Sequence, residues 1–230
     1  MSRSRLNEQL SRLSRALGHE FTNPQLLEAA LTHRSAGSAN NERLEFIGDA
    51  VLGLIVAEAV HAARPLAQEG ELTRLRALLV KKPTLAEIAT GIQLGEYLRL
   101  GSGERKSGGY RRASILADAL EALLGAVYLD AGFEAARACI LRLMGTRLES
   151  LPDAAEVKDS KSRLQEFLQA RGLERPSYRI ERIRGEAHQQ RFLVRGEVAQ
   201  MGLVEHGEGT SRQDAEQESA RRLLERISHG

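Results

Sequence analysis

Residues 41–52 read NERLEFIGDAVL and form the most informative segment of the chain. Its acidic residues, Glu42, Glu45 and Asp49, are spaced three and four apart. At roughly 100° per residue of an α-helix, they lie within an arc of about 60° on one face. Such a stripe repels itself by about 0.2–0.5 kcal/mol per exposed pair four residues apart, and by more when buried. A bound cation would turn that cost into a gain.

A second acidic pair lies in residues 114–125, SILADALEALLG, where Asp118 and Glu121 are three apart on an otherwise apolar helix. No basic residue occurs from Ile115 to Phe133, so a compensating charge must come from elsewhere. All-oxygen sites suit Mg²⁺ or Mn²⁺, whereas the chain has no HxxxH or CxxC spacing typical of zinc. Such a site favours phosphodiester hydrolysis, because the metal activates water and neutralises charge on phosphate. Spacing alone leaves open that these acids, above all Glu42, form an ordinary solvated face.

The composition sets further bounds on the class of protein. The chain has 230 residues, a net charge of +2 and 42% hydrophobic residues, so nucleic-acid binding would have to come from local patterning. Its single cysteine, Cys139, allows no intramolecular disulfide and suits a reducing cytosol. The N-terminus lacks a signal peptide, and the longest apolar stretch, residues 50–60, is too short to span a bilayer. We therefore expect a cytoplasmic protein with no membrane partner.

Helical spacing of apolar residues over residues 5–150 predicts an all-α domain. Asn23-Pro24 and Asn41 have the residue types that begin helices. The glycine-rich basic segment, residues 100–112, is predicted to be a loop. The predicted helices are residues 5–17, 24–31, 42–63, 72–79, 84–91, 115–130 and 133–148.

After residue 150 the pattern changes. Pro152 and mixed charges predict a linker over residues 151–158. Residues 159–228 then alternate as a small two-layer α+β domain of order α-β-β-β-α. The predicted elements are helix 160–171, strands 178–183, 190–197 and 203–207, and helix 210–227.

The motif of residues 41–52 resembles the signature of the ribonuclease III family. Residues 106–122, KSGGYRRASILADALEA, resemble its second catalytic stretch, and residues 31–35 and 69–76 also match its pattern. Ile47 and Ala50 stand where Leu and Ser are common, and neither carries chemistry. The resemblance implies an endoribonuclease that cleaves double-stranded RNA as a homodimer and leaves 5′-phosphate and 3′-hydroxyl ends.

The same resemblance implies which residues form the site. Glu45, Asp118 and Glu121 would bind Mg²⁺, with Mn²⁺ able to replace it. Asp49 and Glu121 would be the catalytic residues. Supporting positions, in the active-site valley or the dimer contact, would be Glu42, Glu69 and Phe46.

Other residues of the first domain have two open interpretations. Lys106, Arg111 and Arg112 lie in the basic segment and would contact phosphates, or else are ordinary surface charges. His33 fits a structural role at a helix end as well as a functional one.

Residues 159–228 resemble a double-stranded RNA-binding domain, which reads A-form shape over about 16 base pairs. Paired basic residues are usual at the start of its last helix, but Gln213 and Asp214 follow Arg212 here. We therefore expect weaker RNA binding than is typical. The residues implied to contact RNA are Gln165, Gln169, His188, Ser211 and Arg212.

Two other functions remain as alternatives. A non-enzymatic RNA-binding protein would be expected if the acidic site residues were missing. All six are present: Glu42, Glu45, Asp49, Glu69, Asp118 and Glu121. A helical metal phosphohydrolase acting on nucleotides would have no need of the RNA-binding module. By analogy, the cellular substrates would be ribosomal RNA precursors and structured mRNA and tRNA transcripts.

Overall fold

The computed structural model describes residues 11–152, 159–186 and 190–228. The chain divides into two compact units, residues 1–154 and 155–230. In the first unit, residues 11–17 are helical (α1) and seven further α-helices follow. They are α2 Pro24–Ala30, α3 Glu42–Ala63, α4 Glu69–Val80, α5 Lys82–Gly91, α6 Ser102–Lys106, α7 Ala113–Met144 and α8 Thr146–Glu149, with 3₁₀ turns at Leu94–Glu96 and Gly109–Arg111.

The centre of the first unit is the crossing of α3 over α7, and two glycines make it close. A Cβ atom added to Gly48 would lie 1.8 Å from the carbonyl oxygen of Glu121. One added to Gly125 would lie 2.2 Å from the carbonyl oxygen of Leu44. Both distances are far inside van der Waals contact, so only glycine lets the two backbones approach this closely.

The turn between α1 and α2 is fixed by Asp130 of α7. Its Oδ1 accepts hydrogen bonds from Asn23 N and Thr22 Oγ1, each at 2.8 Å, and its Oδ2 accepts one from Thr22 N at 2.9 Å. His19 Nε2 lies 2.8 Å from the same Oδ2. Burial alone would raise the pKa of this carboxyl, but the hydrogen bonds hold its pKa well below the usual range.

Two local predictions for this unit need correction. Asn41 precedes α3 as predicted, but its buried side chain makes no capping hydrogen bond; the side chain of Asn40 accepts one from Glu42 N instead. The segment predicted as a loop contains α6 and a 3₁₀ turn. The break predicted between helices 115–130 and 133–148 is confirmed, because Gly132 inside α7 has a non-helical backbone (φ 82°); the second part ends at Met144, and α8 follows.

Helix α3 is longer than the apolar run on which the membrane prediction rested. By length and composition alone it could cross a membrane, and a third of its most apolar window is buried within the chain. It carries three carboxylates in its first eight residues and packs along α7. We therefore assign α3 to the core of this unit rather than to a membrane.

The second unit is a three-stranded antiparallel sheet with two helices on one face. Its elements are α9 Ser160–Gln169, β1 Ser177–Arg184, β2 Arg191–Val198, β3 Leu203–Gly209 and α10 Arg212–Ser228, with a 3₁₀ turn at Ala199–Met201. The strand order is β1-β2-β3. Its core lies between helices and sheet and is formed by Leu164, Leu168, Val198, Ala220 and Leu223.

Candidate metal centre and nucleic-acid interface

Three carboxylates from two helices meet where α3 crosses α7. Glu45 comes from α3, and Asp118 and Glu121 come from α7. One oxygen from each lies within 4.8 Å of the others. Glu121 is only 7% exposed, and the other two are half-buried. The Gly48–Gly125 crossing explains the convergence, since it brings the first turns of α3 onto the start of α7.

Mutual repulsion and burial leave this cluster electrostatically unsatisfied. Burial, followed by the nearby Asp49, Glu45 and Asp118, raises the pKa of Glu121 to about 7. Burial and Asp118 also raise the pKa of Glu45. Both shifts have the sign expected for carboxylates held close together without enough positive charge. A divalent cation would supply the missing charge.

The donor set fits such a cation. Mg²⁺ and Mn²⁺ prefer carboxylate oxygens, and Mg²⁺–oxygen distances are about 2.1 Å. Three oxygens within 4.8 Å of one another need only small side-chain rotations to reach one ion. Glu45, Asp118 and Glu121 are therefore the residues that could hold it.

One residue of the site, Lys82 at the start of α5, was missed by the sequence analysis. Its Nζ donates a hydrogen bond to Asp118 Oδ1 at 2.8 Å. This bond raises the pKa of Lys82. Its only sequence signal is the pair Lys81-Lys82 before Pro83, and nothing in that pattern points to a partner 36 residues away. Lys82 therefore supplies the positive charge that α7 itself lacks near Asp118.

The cluster lies at the bottom of an open cleft. Arg34 makes a loose ion pair with Glu42 at 3.7 Å along its edge. His33 Nδ1 lies 2.8 Å from Ser35 Oγ, and Ser35 Oγ accepts a hydrogen bond from Gly101 N, so His33 belongs to a structural turn at the rim. The residues predicted for the site that line this cleft are Glu42, Glu45, Phe46, Asp49, Asp118 and Glu121.

Glu69 does not line the cleft. It is exposed at the start of α4, where its Oε1 accepts a hydrogen bond from Thr73 Oγ1 at 3.0 Å. Of the basic residues in segment 100–112, only Arg112 lines the cleft, where it pairs with Glu104 at 2.6 Å. The guanidinium of Arg111 lies 5.0 Å from the ring centre of Tyr110.

In the second unit, a groove between α9 and α10 contains two of the predicted RNA contacts, Gln165 and Arg212. At its base Glu216 accepts hydrogen bonds from Arg212 Nε at 2.7 Å and Lys161 Nζ at 2.5 Å. Burial would raise the pKa of Glu216, but these two cations lower it. Both cations are therefore already paired with a carboxylate of the same unit.

The other predicted RNA contacts differ in position. Gln169 lies on α9 but not in the groove, and His188 lies outside the described residues. Ser211 Oγ accepts a hydrogen bond from Asp214 N at 3.1 Å at the start of α10. The side chain of Asp214 accepts a further hydrogen bond from Thr210 Oγ1, so this acid is held at the helix N-terminus.

Comparison with known proteins adds independent findings. A family model described as Ribonuclease-III-like matches residues 23–148, and one described as double-stranded RNA binding motif matches residues 160–227. Ribonuclease 3 of Hahella chejuensis is 54% identical over 219 residues, covering 95% of this chain and 97% of that protein. Ribonuclease 3 of Coxiella burnetii is 51% identical over 221 residues, covering 96% and 94%.

Among solved structures, a nuclease domain of ribonuclease III from Campylobacter jejuni is 46% identical, with a TM-score of 0.57. It covers 58% of this chain and 94% of that domain. A helical nuclease domain with a carboxylate cluster, joined to a double-stranded RNA-binding domain, defines a class: metal-dependent endoribonucleases that cleave double-stranded RNA. The chain belongs to the ribonuclease III family.

The fold class and enzyme class predicted from the sequence are thereby confirmed. The two alternatives, a binding protein without activity and a nucleotide phosphohydrolase, are set aside.

Proposed function

We propose that Glu45, Asp118 and Glu121 bind Mg²⁺, replaceable by Mn²⁺, and that this site hydrolyses phosphodiester bonds of double-stranded RNA. The supporting observation is the convergence of three carboxylates, one of them buried, within 4.8 Å. When bound, the metal supplies an activated water and neutralises charge on the phosphate. Products carry 5′-phosphate and 3′-hydroxyl ends.

Each side chain has a separate task in this proposal. Glu121 is the best shielded of the acids, so it orients the ion most rigidly and shares catalysis with Asp49. Asp49 lies on the cleft wall outside the three-ligand cluster, where it can accept a proton from an attacking water. Glu42, at the cleft edge, contacts substrate or the dimer partner.

The active form is a homodimer. Phe46 is 76% exposed and Leu66 97%, so each leaves a large apolar side chain in water that a partner subunit could cover. The related nuclease domain from Campylobacter jejuni shows structural flexibility in a region involved in dimer formation. An isologous contact would cover Phe46 in both subunits and let Glu69 act near the partner's site.

The second unit supplies substrate recognition. Gln165, Gln169 and His188 contact 2′-hydroxyls across minor grooves, and Ser211 and Arg212 contact phosphate. The division of the chain is nuclease domain 5–150, linker 151–158 and RNA-binding domain 159–228. We further propose cytoplasmic processing of ribosomal RNA precursors and of structured mRNA and tRNA transcripts.

The test is cleavage of a long RNA duplex with Mg²⁺ by the intact protein and by Glu121→Gln. Glu58→Gln is the matched control, because Glu58 lies on α3 but pairs with Arg137 outside the cleft. We expect the intact protein and the control to cut, and Glu121→Gln to bind duplex without cutting. Equal cutting by Glu121→Gln would show that the carboxylate site is misassigned.

A further inference from the structure

The sheet of the second unit has an outer face that the helices do not cover. Glycines 207 and 209 on β3 approach the backbone of Ala215 in α10, so their side of the sheet is the covered one. Val194 of β2 pairs with Gly207 and Ile180 of β1, which places all three on that covered side. Neighbouring residues along each strand therefore point to the opposite, outer face.

Five arginines lie on this outer face. The register pairs Arg179 of β1 with Arg195 of β2, and Arg184 with Arg191. The strand bulge between Ile180 and Arg182 keeps Arg182 on the same face, opposite Leu193. We define this set as the arginine face: Arg179, Arg182, Arg184, Arg191 and Arg195.

The arrangement places like charges directly opposite one another. Cross-strand partners have Cα atoms about 4.5–5.5 Å apart, and like charges at such positions destabilise a sheet. Two such pairs, Arg179 with Arg195 and Arg184 with Arg191, occur in one small domain. A bound anion would relieve both.

The acidic groups nearby do not satisfy these cations. Glu197 pairs with Arg195 at 2.9 Å, and Glu181 at the bulge lies 3.1 Å from His206 rather than from an arginine. Glu208 is the remaining carboxylate on this face. Within residues 159–186 and 190–228, no ion pair engages Arg179, Arg182, Arg184 or Arg191.

The arginine face is separate from the groove between α9 and α10. That groove lies among the helices, and its two cations, Lys161 and Arg212, are already bound to Glu216. The face instead has four guanidinium groups without an ion-pair partner among the described residues, and guanidinium groups match phosphate oxygens in shape and charge. Arg182 and Arg184 are two residues apart on one strand, about 6.6 Å, so the charges form a row rather than a point.

We propose that the arginine face is a second RNA-contacting surface, which binds backbone phosphates of an RNA duplex in addition to the duplex bound through α9 and α10. This goes beyond the proposed function and does not depend on cleavage. It requires that the two surfaces bind two duplexes, because a duplex is stiff over about 150 base pairs and a straight one cannot lie against opposite faces of the domain.

The experiment measures binding of RNA duplexes of about 40 base pairs, in excess over the full chain so that both surfaces are titrated, without divalent metal and over a range of salt concentrations. The test variant is Arg182→Gln/Arg184→Gln/Arg191→Gln. Each lost phosphate contact reduces the slope of log K against log salt by about 0.9 on B-DNA, so we expect a reduction of about 2–3 and on the order of ten-fold weaker binding at low salt.

The matched control is Arg221→Gln/Arg222→Gln/Arg226→Gln. It removes the same net charge from α10, where these arginines pair with Glu218 and Glu205. We expect its salt slope to stay near that of the unchanged protein. An unchanged slope for the test variant would overturn the proposal, and so would an equal reduction in the control, which would reflect bulk charge alone.

Thermal unfolding without RNA separates this proposal from a structural role. Because the paired arginines repel each other, the test variant should melt at or above the temperature of the unchanged protein. A large drop in Tm would mean that these arginines stabilise the sheet and would contradict the proposal. Loss of cleavage in the Glu121→Gln experiment has no bearing on either result.

Discussion

Glu121 makes the metal site sensitive to pH in the neutral range. Its pKa is about 7 in the folded, metal-free protein, chiefly because it is buried. A carboxylate must lose its proton to bind a metal, so protons compete with the ion below pH 7. We expect Mn²⁺ affinity, measured by calorimetry, to rise with pH up to about 7 and then to level off.

The raised pKa of Glu121 also makes the stability of the metal-free protein depend on pH. The pKa of Glu121 is higher in the folded than in the unfolded protein, so its protonated form stabilises the folded state. This stabilisation is lost as the pH rises from the pKa of the unfolded protein to about 7. In Glu121→Gln the contribution is absent. If the metal-free variant and the unchanged protein show the same dependence of Tm on pH from 5 to 8, Glu121 does not titrate there.

Lys82 competes with the metal for Asp118. Its ammonium group is bound to Asp118 Oδ1, and it lowers the negative charge of the whole cluster. Lys82→Met should therefore bind Mn²⁺ more tightly, by about two- to five-fold, since an exposed ion pair is worth about 0–1 kcal/mol. Lys81→Met, next in sequence but outside the cleft, is the control. Equal or weaker Mn²⁺ binding by Lys82→Met would refute this role.

At the residue scale, helical spacing and the family resemblance together predicted which acidic residues form the site. Glu45, Asp118 and Glu121 were predicted to act together, and the structure brings one oxygen from each within 4.8 Å. Lys82 was not predicted, because it lies on α5 and its partner Asp118 on α7, and the spacing of residues within one helix does not show contacts between helices. Helix α3 begins after Asn41 as predicted, but residue type alone cannot show that Asn40, rather than Asn41, accepts the hydrogen bond from Glu42 N.

At the scale of the element, the crossing of α3 and α7 depends on the lack of a side chain at Gly48. Gly48→Ala would place a methyl group against the carbonyl of Glu121. Overpacking of this kind costs about 1–3 kcal/mol or more, and it would also move Glu45 away from Glu121. We expect both a lower Tm and weaker Mn²⁺ binding.

Gly91→Ala provides the comparison for that variant. Gly91 ends α5, and a Cβ there would meet nothing within 4 Å. Alanine is favoured over glycine in helices by roughly 0.5–1 kcal/mol, so this variant should keep or slightly raise Tm. If Gly48→Ala behaved in the same way, the close approach of the two helices would not limit the fold.

Elements of ten or more residues were the most predictable part of the fold. Helices α3, α5 and α10 begin and end near their predicted bounds because many apolar positions define them, and the predicted break between residues 130 and 133 lies at Gly132 of α7. The five-residue helix α6 was missed, because so short a helix has no amphipathic period and little stability of its own. Tertiary contacts hold it instead: the backbone of Gly101, just before it, packs against the carbonyl of Ser35.

At the scale of the whole molecule, exposed apolar side chains should govern assembly. Phe46→Arg would place a charge in the proposed dimer contact. We expect sedimentation equilibrium to show a shift from dimer to monomer, with loss of duplex cleavage. Met201→Arg, a partly exposed apolar residue of the second unit, should remain a dimer. A Phe46→Arg protein that dimerises as tightly as the unchanged chain would exclude this surface.

Helix α7 connects the metal site with the turn between α1 and α2 through a fixed number of residues. Glu121 faces the cleft, and nine positions later Asp130 binds the turn that contains Thr22 and Asn23. Adding or removing one residue between them would rotate one end by about 100° relative to the other, so only one of the two attachments could form. In a library of single-codon deletions, residues 122–129 should therefore tolerate far fewer losses than the surface turn around residues 36–39.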